Sequence, residues 1–277
     1  MRALTSEWKQ DTGRQSMYDR PDFWHPDRFR GLEEARASVT RRWLPADVES
    51  VLEVGCGNGV FANSLPKKSS AAAIDVALTP LLQVKARKAQ ASIESIPFPA
   101  GEFDATARLE VLEHLEDGAY RRGLAEMARV SRRYVLVSVP YCENLRATRL
   151  VCPACGARFH ASHHLRSFDY STISQLFADS NSGFELQRAS PIFPVRRPMP
   201  LPGLSAVKSF ASTLSFPPLT VCPRCGYQRQ TELGGPTGAG RRDAESLIWR
   251  SRRLVKRIWP SYQSHRWWLA LYRRSGD

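Results

Sequence analysis

The sequence lacks any apolar run of bilayer-spanning length, which would take about 20 predominantly apolar residues. Its opening stretch is broken by Arg2, Glu7, Lys9 and Asp11, so it has no secretory signal core, and a cytoplasmic chain is expected. Acidic residues are in short supply, with 27 Asp and Glu against 40 Lys and Arg, a formal charge of +13. Cysteine is scarce too, at 6 of 277 residues. A disulfide scaffold is therefore not needed, as the ordinary 42% hydrophobic content supports a core without one. No internal repeat is visible beyond a pair of Cys-Pro-x-Cys-Gly segments. The length suits one large domain or a domain with inserts.

One further absence is informative. Val51, Leu52 and Val54 form the short apolar run of a parallel-sheet strand, followed by Gly55, Gly57 and Gly59. Glycines in that setting let backbone lie against a ligand, which points to a nucleotide-like cofactor. A dinucleotide fingerprint wants G-x-G-x-x-G, but Val60 stands where its third glycine would fall. The loop is thus turned away from NAD. Asp75 closes the next strand-like run, Ala71 to Asp75, and a carboxylate at the end of a second strand can hold a ribose diol.

Further on come Ser95-Ile-Pro-Phe-Pro-Ala-Gly-Glu-Phe-Asp104 and Leu109-Glu-Val-Leu-Glu-His-Leu115. Together with the glycine loop and Asp75, these segments resemble the class I S-adenosylmethionine (SAM) dependent methyltransferases of the type 11/UbiE-like subgroup, from about Glu49 to Pro140. The resemblance implies an α/β fold, a doubly wound seven-stranded sheet with its last strand antiparallel. It implies that Glu53, where the family usually has Asp, holds the methionine ammonium, and that Gly55, Cys56 and Gly57 pass under the cofactor. Asp75 with Val76 would meet the ribose, Ser92 and Ile93 the adenine, and Leu109 the methionine side. His114 is a candidate base, weighed against a packing or capping role. The implied acceptor is a small molecule, sugar or lipid-linked glycan, methylated on oxygen; the alternatives are a zinc-ribbon RNA methyltransferase and a non-catalytic interaction protein on the same fold.

Four cysteines fall into two matching knuckles, Cys152-Pro-Ala-Cys155-Gly156 and Cys222-Pro-Arg-Cys225-Gly226. Four thiolates on tight turns suit structural tetrahedral Zn²⁺, whose closed shell leaves no position for catalysis. A disulfide or redox pair is the competing reading. One of His160, His163 and His164 could also replace a thiolate. Cys56 and Cys142 are expected to be free thiols.

The expected layout is a helical cap or lid over residues 1–45, with a helix across Gly31–Trp43, and a SAM-binding core of alternating strands and helices over 46–190. The first zinc knuckle enters that core at 151–165. A proline-rich insert with the second knuckle follows over 191–240, its Pro191–Pro218 stretch being a linker or substrate loop. Residues 241–277 hold ten Arg or Lys against three acids. Leu247, Ile248, Leu254 and Ile258 fall near helical spacing, predicting a basic amphipathic helix over Ala244–Ile258. Trp267 to Tyr272 then reads as the last strand. Such a helix is a solvated face, binds anionic membrane surface, or binds nucleic acid; the sequence favours the membrane over nucleic acid, as no RNA-binding module pattern is present.

Overall fold

The computed structural model describes residues 18–24, 31–67, 69–178, 182–199, 216–217, 220–229 and 261–276. Seven strands form one sheet: β1 (Ser50–Val54), β2 (Ser70–Asp75), β3 (Arg87–Gln90), β4 (Phe103–Leu109), β5 (Ser131–Pro140), β8 (Phe184–Pro198) and β9 (Ser261–Arg274). Their order is β3-β2-β1-β4-β5-β9-β8. The first five are parallel, and β9 runs antiparallel to both β5 and β8. A separate hairpin pairs β6 (Arg149–Val151) with β7 (Arg158–His160).

The central strands are largely apolar because both faces are covered, with Glu53, Thr106 and Arg108 as buried exceptions. Every residue of β4 is buried, and β5 is buried from Tyr134 to Pro140. On one face Leu52, Val54, Ile74, Leu124, Met127, Val135 and Val137 share a core; on the other Val51, Phe61, Ala105, Ala107 and Leu136 do so. Each such Leu, Ile or Val contributes about 1.5–3 kcal/mol by leaving water.

Helix α1 (Leu32–Trp43) carries Glu33 and Glu34 in its first turn and Arg41 and Arg42 in its last, a distribution that complements the helix dipole. Pro45 follows immediately and helps to stop it. Helix α3 (Asp117–Val130) buries Leu124, Met127 and Ala128, one face at i, i+3, i+4 spacing. The short helices α2 (Leu78–Leu81) and α4 (Tyr170–Ser174) complete the set, α4 being capped by Asp169, which accepts the Thr172 N–H at 2.8 Å.

Three expectations need correction. The strands and helices do not alternate strictly: the β3-to-β4 connection is irregular, because Pro97, Pro99 and Gly101 interrupt a helical ladder. The proline-rich stretch is not wholly a linker, since β8 runs on through Pro191, Pro194 and Pro198. An edge strand tolerates this, as an outward-facing proline nitrogen leaves no ladder bond unmade. Consequently the core extends past residue 190. The last strand is also longer than Trp267 to Tyr272, because β8 pairs with it from Phe184 to Pro198. The predicted helix over Ala244–Ile258 lies outside the described residues. Among the described residues no helix is long and apolar enough to cross a membrane.

Candidate functional site

The parallel strands place their carboxyl ends along one edge, and the chain steps from β1 to β2 and β3 on one side before crossing to β4 on the other. A crevice at such a reversal of strand order is where ligands bind in open α/β sheets. The glycine loop opens there. Gly55, Gly57 and Gly59 have φ of 71°, 51° and 72°, the left-handed region in which a Cβ is costly. Close approach compounds the requirement. A Cβ on Gly55 would lie 2.7 Å from Val111 Cγ2, and one on Gly57 would lie 2.5 Å from Trp24 Cζ3.

Two carboxylates brace this loop. Glu53 is buried and accepts the Ala62 N–H at 2.9 Å; burial pushes its pKa up to about 8. Asp75 accepts the Gly57 N–H at 2.7 Å through Oδ2 and the Ala77 N–H at 2.9 Å through Oδ1. Its pKa is raised by burial against the pull of those N–H bonds. Cys56 lies buried between the two flexible glycines, beside its own loop backbone, its Sγ 3.4 Å from the Gly57 carbonyl oxygen.

Other expected contacts are placed more variously. Val76 is half-buried next to Asp75 and its carbonyl accepts the Gln90 amide at 2.9 Å. Ser92 is buried, its Oγ accepting the Glu94 N–H at 3.1 Å. Ile93 packs in the core beneath Gly123, where a Cβ would meet it at 2.8 Å. Leu109 ends β4 and joins the core cluster of Val51 and Phe61.

The amino-terminal segment covers the loop. Trp24 packs on Gly57 and donates its indole N–H to the Tyr18 carbonyl at 2.5 Å. Its own carbonyl accepts the Gln83 amide at 3.3 Å, while Thr79 Oγ1 donates to the Asp19 carbonyl at 2.9 Å. Tyr18 Oη also sits 3.4 Å from His114 Nδ1. Residues 18–24 thus bridge the glycine loop, α2 and the end of β4.

Charged groups beyond β4 were less visible in the sequence. Glu110 has φ 60°, a strained value for glutamate that turns the chain sharply after the strand. Its carboxylate takes the Trp267 indole N–H at 2.5 Å and lies 3.6 Å from Arg36. Burial lifts its pKa to about 7. Glu113 is fully buried with neither carboxylate oxygen hydrogen-bonded; burial first, then the Glu110 charge, raise its pKa well above the usual range. Arg108 is fully buried as well, its three guanidinium nitrogens without hydrogen-bond partners, and burial lowers its pKa to about 9. An arginine inside the strand Phe103–Leu109 was the signal for it. His114 closes a single 3-10 turn rather than starting a helix, with Nε2 3.9 Å from Glu113.

The two cysteine knuckles meet. Cys152 Sγ lies 3.6 Å from Cys225 Sγ and Cys155 Sγ 3.7 Å from Cys222 Sγ, and all four sulfurs fall within 4.8 Å of one another. A disulfide needs about 2.05 Å, whereas a tetrahedron of roughly 2.3 Å zinc–sulfur bonds has edges near 3.8 Å. The donor set and spacing fit zinc. Gly156 and Gly226 have φ of 68° and 72° and donate to the Cys152 and Cys222 carbonyls, each at 2.9 Å, so the knuckles share one turn geometry.

The nearby histidines serve elsewhere. His163 Nε2 bonds the Val221 carbonyl at 2.8 Å and ties the second knuckle to the first. His164 bonds Glu143 through Nδ1, and His160 stacks on His164 with centroids 4.6 Å apart. Against the upward push of burial, the two histidines hold the Glu143 pKa down to about 2.

A glycine loop at the β1/β4 crevice, an acidic strand end beside it and an antiparallel β9 inserted between β5 and β8 define the class I methyltransferase architecture. Residues 52–137 match the sequence family described as Methyltransferase domain. Similar solved structures share the fold. One, from the complex between the Haloferax volcanii Trm112 methyltransferase activator and a candidate methyltransferase, has TM-score 0.54 at 12% identity, covering 96% of this chain and 98% of that one. Burkholderia thailandensis 1,6-didemethyltoxoflavin-N1-methyltransferase, with bound 1,6-didemethyltoxoflavin and S-adenosylhomocysteine, gives 0.53 at 12% identity over 99% and 92%. A candidate methyltransferase of Bacillus halodurans gives 0.51 at 14% over 88% and 99%. No curated protein matches the sequence.

Proposed function

We propose that the chain is an S-adenosylmethionine-dependent methyltransferase with structural Zn²⁺ at Cys152, Cys155, Cys222 and Cys225. The observation that carries this reading is the glycine loop held at the crevice by Asp75, with Glu53 buried at the end of β1 beside it. Glu53 would receive the methionine ammonium, Gly55 and Gly57 the cofactor's flank, and Asp75 the ribose hydroxyls. Asp75 retains lone pairs for them, since each oxygen accepts one backbone N–H. Trp24 rests on Gly57, so cofactor entry requires residues 18–24 to swing aside and permits them to close over the bound ligand.

Methyl transfer is an in-line attack on a sulfonium carbon, for which the protein supplies orientation and exclusion of water. A hydroxyl acceptor adds the need for a base, and His114 stands at the edge with Tyr18 beside Nδ1. We infer an oxygen acceptor on a small molecule, sugar or lipid-linked glycan. The basic residues 241–260, outside the described part, suit an anionic membrane surface by their charge and apolar spacing. Incubation with methyl-labelled SAM and separate lipid, glycan and RNA extracts tests these choices. Label in the glycan or lipid fraction is expected; label in RNA alone transfers the reading to an RNA methyltransferase, and the absence of SAM binding in calorimetry ends the enzyme reading.

A further inference from the structure

The zinc knuckle leaves unexplained a second set of metal-type ligands at the same edge. Glu113, His114 and His164 come from the turn after β4 and the loop after β7, yet their ligand atoms lie within 4.8 Å of one another. We propose that these three side chains bind a divalent cation with positions left open towards the acceptor.

Four observations converge. Glu113 is 0% exposed with both oxygens unbonded, and a buried carboxylate without partners is expensive unless a cation joins it. The Glu110 charge raises the Glu113 pKa and Arg108 and Arg36 lower it, but burial and Glu110 together outweigh the two arginines, so a further cation still has charge to offset. His164 has Nδ1 engaged by Glu143, which leaves Nε2 as ligand and reproduces the carboxylate–histidine support typical of metal sites. His160 is excluded as a ligand through Nδ1, because that atom accepts the Ser162 and His164 N–H groups, each at 3.2 Å. Its hydrogen therefore sits on Nε2, 3.4 Å from Glu143. The neighbouring trio of Glu143, His160 and His164 is support, and the Glu113 trio is the site.

Mixed imidazole and carboxylate donors suit zinc, iron, cobalt or manganese rather than magnesium or calcium. Three protein ligands leave room for water or an acceptor oxygen, which the cation would orient and acidify. That use rests on the proposed methyl transfer, with His114 then acting as a ligand in place of a free base; the binding itself does not.

The test is equilibrium dialysis against Co²⁺ of full-length protein brought by mild chelation to one zinc per chain. About one cobalt per chain should be retained without thiolate-to-cobalt absorption, the cysteine site being already filled. Glu113→Gln and His164→Ala should each abolish it, and Glu143→Gln should weaken it about 10- to 100-fold. Unchanged zinc content and circular dichroism show that each variant is folded, and unchanged SAM affinity separates this proposal from the methyltransferase reading. No retained cobalt in the wild type, cobalt seen only through thiolate absorption, or folded Glu113→Gln and His164→Ala variants that bind as the wild type does, overturns the site.

Discussion

The Gly57 amide donates to Asp75 Oδ2 at 2.7 Å, so the carboxylate that closes β2 also clamps the loop that closes β1. One side chain thereby sets both the loop's shape and the position of its own acceptor oxygens. Replacing Asp75 by Ala should weaken SAM binding by about 2–4 kcal/mol through lost charged hydrogen bonds. The Gly57 N–H also loses its partner, so some fold stability goes with it. Calorimetry with SAM measures the first effect and urea unfolding the second; an unchanged dissociation constant removes Asp75 from the cofactor site.

Gly57→Ala combines two penalties. Its φ of 51° costs an L-residue about 1–2 kcal/mol, and the new methyl would meet Trp24 at 2.5 Å. Adding Trp24→Ala should relieve the clash and leave the backbone cost. A double-mutant cycle measures the difference; fully additive effects would show that the ring does not rest on the loop in solution.

The Glu53 carboxyl makes stability pH-dependent. Its pKa is about 8 in the fold and 4.5 without burial, so folding takes up a proton between those values. Stability should fall as pH rises through that window, by up to about 1.4 kcal/mol per unit crossed. Glu53→Gln should reduce this slope, with Glu110 and Glu113, whose pKa values are also raised, contributing the remainder. Denaturant midpoints at pH 5 to 8 provide the check, and parallel profiles for wild type and variant would assign the slope to another group.

Zinc content should drop by about one per chain in Cys152→Ser and in Cys222→Ser alike, because the two knuckles form one shell. Elemental analysis decides. Metal kept after loss of the second knuckle would mean that the pairs do not share an ion.

SAM binding should alter Trp24 emission, since the indole lies on the loop the cofactor approaches. The change should vanish in Trp24→Phe. An identical fluorescence response in that variant would place the lid movement elsewhere.

Much of this protein was legible locally. The run from Val51 to Gly59 announced a buried strand and a tight glycine turn because a strand covered on both faces is mostly apolar and a left-handed turn favours glycine. The acid at Asp75 and the matching knuckles were readable for the same reason: their chemistry resides in short, contiguous spacing. Even β9 was partly visible, in Trp267 to Tyr272, where consecutive bulky residues demand burial on both faces.

Tertiary structure decided what depends on juxtaposition. Proline content alone argued against Pro191–Pro198 as strand, and only the edge position made it admissible. His164 read as a spare zinc ligand until the fold set it against Glu113 and Glu143, separated from it by 51 and 21 residues in the sequence. Trp24 on Gly57 and the unpartnered Glu113 likewise have no local signature, because burial and the distance between remote side chains exist only once the sheet has brought its strand ends to one edge.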